Sequence, residues 1–206
     1  MDRSDPALPV VLLAARDLAF EPGGVPVLAG LSFELGPGLG LVRGGDGRGK
    51  TTLLRLMAGT LSPTSGWLSA PAGSPYAPAP TEAASDEHVA LDWLASERAR
   101  RAGWDAALER SLVDGVALRE HLGKALFRLS TGTRRKLGLV AAFAADAPLV
   151  LLDVPFAGLD ARSRALLAEL LADAAVHRTR GWVIADHALP ALLEGVPVAT
   201  TIDLGD

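Results

Sequence analysis

Gly44-Gly45-Asp46-Gly47-Arg48-Gly49-Lys50-Thr51 is the stretch that decides the fold. It fits the pattern G-x-x-x-x-G-K-[ST], in which glycines let the backbone wrap an anion with successive N–H groups facing inward. A helix begun at Lys50 adds its N-terminal partial charge at the same point. In such a pattern the Lys50 ammonium reaches the outer phosphate oxygens of a nucleotide, and the Thr51 hydroxyl meets Mg²⁺. At average residue frequencies a chance match in a chain this long arises about 1% of the time. Only three of the twenty basic residues are lysines, which makes one at position 50 less accidental. The competing reading is a tight turn carrying a surface lysine.

Working outward, Leu39 to Arg43 reads as a short buried strand. Leu53, Leu56 and Met57 fall at i, i+3 and i+4, so Lys50 to Ala58 predicts a helix. Upstream, Leu12 to Phe20 and Gly30 to Leu35 read as strands around a Pro22-Gly23-Gly24 turn. Gly59 to Pro80 is rich in proline and glycine, mostly turn, with room for one strand near Trp67 and another near Tyr76. From Thr81 to Lys124, Val89, Trp93 and Leu94, then Leu108, Leu112 and Val116, repeat at helical spacing and define a helical lobe. A further helix over Arg134 to Ala145 leads to Leu149-Val150-Leu151-Leu152, apolar on both faces and therefore a central parallel strand. A helix over Arg162 to Ala175 and a buried strand over Trp182 to Ala185 follow. Strands alternating with helices imply an α/β fold with a mainly parallel sheet and binding at the strand C-termini. The opening strands form an antiparallel β subdomain.

Composition narrows the function classes. The 206 residues are 49% hydrophobic and 21% charged, which excludes a mainly disordered or fibrous chain. The net charge is −4 and the pI about 5.6, so no global field favours nucleic acid or an anionic membrane, and phosphate chemistry must be local. With no cysteine there is no disulfide, thiolate metal site or cysteine nucleophile. The longest apolar runs, Leu8 to Ala15 and Leu137 to Ala145, fall well short of the roughly 20 residues a spanning helix needs. Met1-Asp2-Arg3-Ser4-Asp5 is acidic on balance, which argues against a secretory signal and predicts a cytoplasmic protein.

Asp153 ends the apolar strand Leu149 to Leu152, a placement that suits a Mg²⁺ partner of Thr51. On its own it reads equally well as a cap on the following turn. The order of the pieces from about Leu12 to His187 resembles the nucleotide-binding subunits of ATP-binding cassette (ABC) transporters. The resemblance rests on Gly44 to Thr52 (GGDGRGKTT), and on Leu129-Ser130-Thr131-Gly132-Thr133 against an LSGGQ signature. It rests also on Leu151 to Asp160 (LLDVPFAGLD) against a Walker B segment with its following loop, and on His187 as a switch histidine. In length and around Leu53 to Gly66 the chain is most similar to the small haem-exporter ATPases of cytochrome c maturation.

The resemblance implies a single ATP-binding domain over residues 1–206, with the helical lobe inserted at about 81–135. It implies that Gly44, Gly45, Asp46, Gly47, Arg48, Gly49, Lys50, Thr51 and Thr52 hold the phosphates of ATP, with Thr51 and Asp153 on Mg²⁺. Phe20 takes the place of an aromatic stacked on adenine, though a core phenylalanine is an equal reading. Ser130 and Gly132 would hold the γ-phosphate of ATP bound to a second subunit, so the site is composite; without the family, Ser130 is a helix N-cap. Asp160 would bridge the two halves. His187 would contact the γ-phosphate, against the plainer reading of a surface histidine. The implied partners are a transmembrane permease and a second ATP-binding subunit, identical or not, at the inner face of the membrane, with no nucleic acid.

The departures from the family pattern matter more. Glu directly follows the Walker B aspartate in the family, where it polarises the attacking water; here Val154 stands there and accepts no proton. Such general-base help contributes about 10²–10⁴-fold. An aromatic-x-Pro-Gln pattern becomes Tyr76-Ala77-Pro78-Ala79, with Ala79 in the glutamine place, and the chain has no glutamine at all. Thr131 and Thr133 replace Gly and Gln of the signature. The expectation is a subunit that binds MgATP and hydrolyses it slowly; Asp46 and Asp186 are the other carboxylates that could serve as base. The alternative is an ATP-sensing or regulatory protein of the same fold without a transport role. A kinase or GTPase leaves the LSTGT segment unexplained and lacks an Asn-Lys-x-Asp segment. A DNA-handling relative needs a long coiled-coil insertion, for which the interval from Lys50 to Asp153 has no room.

Overall fold

A computed structural model describes residues 10–206. The N-terminal segment read above for a secretory signal lies outside the described residues, as does the start of the Leu8 to Ala15 run. In chain order the elements are β1 (Leu13–Phe20), β2 (Leu28–Leu35), β3 (Gly38–Arg43), α1 (Lys50–Met57), β4 (Ser65–Ser69), α2 (Ala90–Ala99), α3 (Ala106–Gly115), α4 (Thr131–Ala144), β5 (Leu149–Asp153), α5 (Ala161–Ala175), β6 (Gly181–Asp186) and β7 (Thr200–Asp203).

Two sheets result. One is antiparallel, in the order β2-β1-β4; the other is parallel, in the order β5-β6-β3-β7. Side-chain alternation on β5 shows how the parallel sheet is sandwiched. Val150 and Leu152 point into a core shared with α2 to α5, whereas Leu149 and Leu151 join a second core with α1 and the antiparallel sheet. All four are at most 5% exposed. Each such side chain contributes about 1.5–3 kcal/mol through burial, so the strand carrying Asp153 is fixed from both faces.

Two expectations need correcting, and one strand is new. The strand near Tyr76 is a single parallel bridge to Val150, closed by Tyr76 N–H to Leu149 O and Leu151 N–H to Tyr76 O, both 2.8 Å. Pro75 and Pro78 flank it, and proline supplies no N–H to extend a ladder. Helix α4 begins at Thr131 rather than Arg134, because the Ser130 hydroxyl accepts the Thr133 N–H at 3.1 Å and caps it earlier. The edge strand β7 has no counterpart in the sequence reading.

The helical lobe is tied to β5 through a buried polar network. The Tyr76 hydroxyl donates to Glu97 at 2.7 Å, and the Arg101 guanidinium lies 3.4 Å from the ring centre. Arg100 pairs with Glu97 at 2.9 Å. Burial, then Glu97, pushes the Tyr76 hydroxyl well above the usual phenol range, so it stays a donor. Among the described residues no helix is long and apolar enough to cross a membrane.

Candidate nucleotide site

The loop between β3 and α1 carries residues 44–49. Gly49 is the N-cap of α1 with φ +87°, a left-handed conformation, and a Cβ there would stand 2.8 Å from Leu28 Cδ2. No side chain caps α1, which leaves the N–H groups of its first turn without a side-chain acceptor at the end of the loop. Lys50 is buried, and its ammonium donates to the carbonyls of Gly44 at 2.6 Å and Gly45 at 2.7 Å. The ammonium is therefore folded over the loop entrance, where it can exchange those carbonyls for phosphate oxygens. The loop is braced from outside by Gly45 N–H to Gly205 O at 2.9 Å and by an Arg48 hydrogen bond to Asp206 O. Thr52 is half-buried on α1.

The Thr51 hydroxyl donates to Asp153 Oδ2 at 2.6 Å, joining the start of α1 to the C-terminal end of β5. A hydroxyl and a carboxylate side by side are the hard oxygen donors that Mg²⁺ takes, so these residues fit the metal. A cavity of about 180 Å³ opens beside them, lined by Thr51, Asp153, Ala77, Pro78 and Ala79 among others. Alanine at 79 thus leaves open space on the side of the pair where a longer polar residue could reach.

Val154 has φ +42°, a left-handed conformation that crowds a β-branched residue, and its N–H donates to Ala185 O at 2.9 Å. It lines a cavity of about 150 Å³ with Asp153, Arg135, Gly138 and Pro80. His187 directly follows β6, and its Nε2 lies 3.1 Å from Asp46 Oδ1 in the glycine loop. Sequence reasoning named both residues and did not join them, because nothing in a sequence states which parallel strands are neighbours.

The remaining candidates stand apart from the loop and are engaged locally. Ser130 is exposed and caps α4, with its oxygen 2.9 Å from that of Thr133, which agrees with the N-cap reading. Asp160 caps α5 by accepting Ser163 N–H at 2.9 Å and pairs with Lys136 of α4. The Lys136 ammonium, with the Ser163 N–H, holds its carboxyl well below the usual carboxylate range. Phe20 is half-buried and packs in part against the core under β1, leaving the rest of its ring exposed.

Gly132 has a packing role that sequence reasoning missed. A Cβ there would meet Gly158 O at 2.1 Å, so the first turn of α4 rests directly on the backbone of the loop after β5. Gly132→Ala should cost about 1–3 kcal/mol through overpacking, a fall in Tm of about 3–10 °C in a thermal melt.

A glycine loop feeding an uncapped helix, beside a Thr–Asp pair on a parallel sheet, defines a P-loop nucleotide-binding protein of the α/β class. A family model described as ABC transporter matches residues 28–157, and the chain belongs to that family. It is 34% identical over 202 residues to the cytochrome c biogenesis ATP-binding export protein CcmA of Brucella abortus (strain 2308), covering 92% of this chain and 90% of that protein. It is 39% identical over 166 residues to CcmA of Rhodobacter capsulatus, covering 78% and 74%. A solved ATP-binding subunit of an ABC transporter superposes with a TM-score of 0.76 at 23% identity, over 90% of this chain and 82% of that one, which shows the shared fold.

Proposed function

We propose that the chain is an ABC-transporter ATP-binding subunit that binds MgATP at a composite dimer interface, drives a transmembrane permease, and hydrolyses slowly at its own P-loop. The observation that carries the slow-hydrolysis reading is Val154, an aliphatic side chain directly after the Asp153 that bonds Thr51. Lys50, the loop amides and the N-terminus of α1 would hold the β- and γ-phosphates, with Thr51 and Asp153 on Mg²⁺. When bound, Mg²⁺ neutralises phosphate charge and aligns the outer phosphates.

Phe20 would offer its exposed ring edge to the adenine. Ser130 and the α4 N-terminus would face the γ-phosphate bound by a second subunit, of the same or another kind, with Asp160 at the junction. The permease and the placement at the inner membrane face come from similarity to the export proteins, as does a first candidate role in cytochrome c biogenesis. A tagged chain expressed with its membrane fraction should retain an integral membrane protein; retention of soluble partners alone would favour the ATP-sensing alternative. Purified chain should bind MgATP and release phosphate about 10²–10⁴-fold more slowly than a relative with Glu after the Walker B aspartate. Turnover equal to that relative's would refute slow hydrolysis.

A further inference from the structure

Residue 154 offers no carboxylate, yet one stands on the phosphate loop itself. Strands β3 and β6 pair in parallel with Arg43 opposite Asp186, so the loop after β3 and the histidine after β6 emerge side by side. This register brings Asp46 Oδ1 to 3.1 Å from His187 Nε2. Of the other nearby carboxylates, Asp186 Oδ1 accepts the backbone N–H of His187 at 2.8 Å, and Asp153 Oδ2 accepts from Thr51, which commits Asp153 to the metal place. Asp46 Oδ2 has no hydrogen-bond partner among the described residues, and the side chain is 94% exposed.

We propose that Asp46 is the proton acceptor for the water that attacks the γ-phosphate in this chain, and that His187 is the positioning residue that holds it. The proposal rests on the reading that the loop binds MgATP. Asp46 is followed directly by Gly47 to Lys50, whose N–H groups face the bound phosphates, so its free oxygen sits within the loop that grips the reacting end of the nucleotide. In the step, the water oxygen bonds the γ-phosphorus while one of its protons passes to Asp46 Oδ2. The P–O bond to the β-phosphate breaks, and its electron pair leaves on the ADP oxygen. A carboxylate beside a polyanion repels it, and the His187 imidazole, 3.1 Å from Oδ1, would offset part of that repulsion when Nε2 carries a proton and would limit where Oδ2 points. The same repulsion makes this base a poorer one than a carboxylate at residue 154, in keeping with slow turnover.

The test uses the purified full chain, a non-hydrolysable MgATP analogue for affinity, and single-turnover phosphate release from MgATP for chemistry. Asp46→Asn, which removes the repelling charge, should bind the analogue at least as tightly as the parent and slow phosphate release at least about tenfold. His187→Ala should slow it comparably, with no further loss in the double variant. His187→Gln, whose amide N–H can still donate to Asp46, should recover at least about threefold over His187→Ala, a rescue that a purely structural histidine would not give. Phosphate release by Asp46→Asn at or above the parent rate overturns the proposal, as does a parent chain that binds the analogue and releases no phosphate. Failure of the parent chain to bind the analogue overturns instead the MgATP reading, and this proposal with it.

Discussion

Lys50→Ala should weaken MgATP binding at least about 100-fold, measured by equilibrium titration with a fluorescent analogue. The ammonium already makes two short hydrogen bonds, to Gly44 O and Gly45 O, and a charged hydrogen bond is worth about 1.5–3 kcal/mol. Alanine removes that donor from the loop and from the phosphates together, and about 3 kcal/mol corresponds to roughly 100-fold in affinity. Lys50→Arg should recover little, because a planar fork does not fit the place of a compact ammonium buried to 8% exposure. Affinity unchanged in Lys50→Ala would mean that the loop does not grip the nucleotide in the expected way.

Val154→Glu should raise phosphate release at least about tenfold, and toward the 10²–10⁴-fold typical of a well-placed general base. The backbone at 154 is fixed by its bond to Ala185 O, so the new side chain starts from the direction that valine takes. The cavity of about 150 Å³ at that position has room for a carboxyl group next to Asp153. Glutamate is unbranched at Cβ, so it relieves some of the crowding that valine suffers at φ +42°. Stability should therefore change by no more than about 1 kcal/mol, and a thermal melt checks that. Val154→Gln fills the same space without a base, and it should leave the rate at the parent level. A flat result for Val154→Glu would move the lesion to Ala79 and the open side of the Thr51–Asp153 pair.

Much of the fold was legible where one physical signal dominated. Leu149 to Leu152 announced a buried parallel strand because both faces are apolar, and the structure divides those four side chains between two cores. The strand-loop-helix around Lys50 was legible because glycines, lysine and threonine each serve a separate need at fixed spacing. Strand β7 was not, because Thr200-Thr201-Ile202-Asp203 buries only Ile202 and carries no run of apolar residues. The Tyr76 bridge looked like a strand because an aromatic sits among turn residues, and prolines on either side hold it to one residue. The meeting of Asp46 with His187 follows from strand order and register, which depend on the whole sheet. The tight seat of Gly132 on Gly158 was hidden for the same reason, since a glycine in a signature segment looks the same whether it frees an amide or clears a neighbour.

The Tyr76–Glu97 bond bears on how often the lobe leaves its resting place. Tyr76 is hydrogen-bonded through its backbone to the strand that ends in Asp153, and through its hydroxyl to α2. Any swing of α2 away from that strand must break a buried bond to a carboxylate, at about 1.5–3 kcal/mol. That bond by itself would hold a displaced lobe below about 10% of the population, and the buried contacts of Trp93 and Leu94 lower the figure further. The hydroxyl acts as a latch laid over the apolar core that Trp93 and Leu94 share with Val150 and Leu152, so the lobe and the strand ending in Asp153 move as one piece unless both are undone.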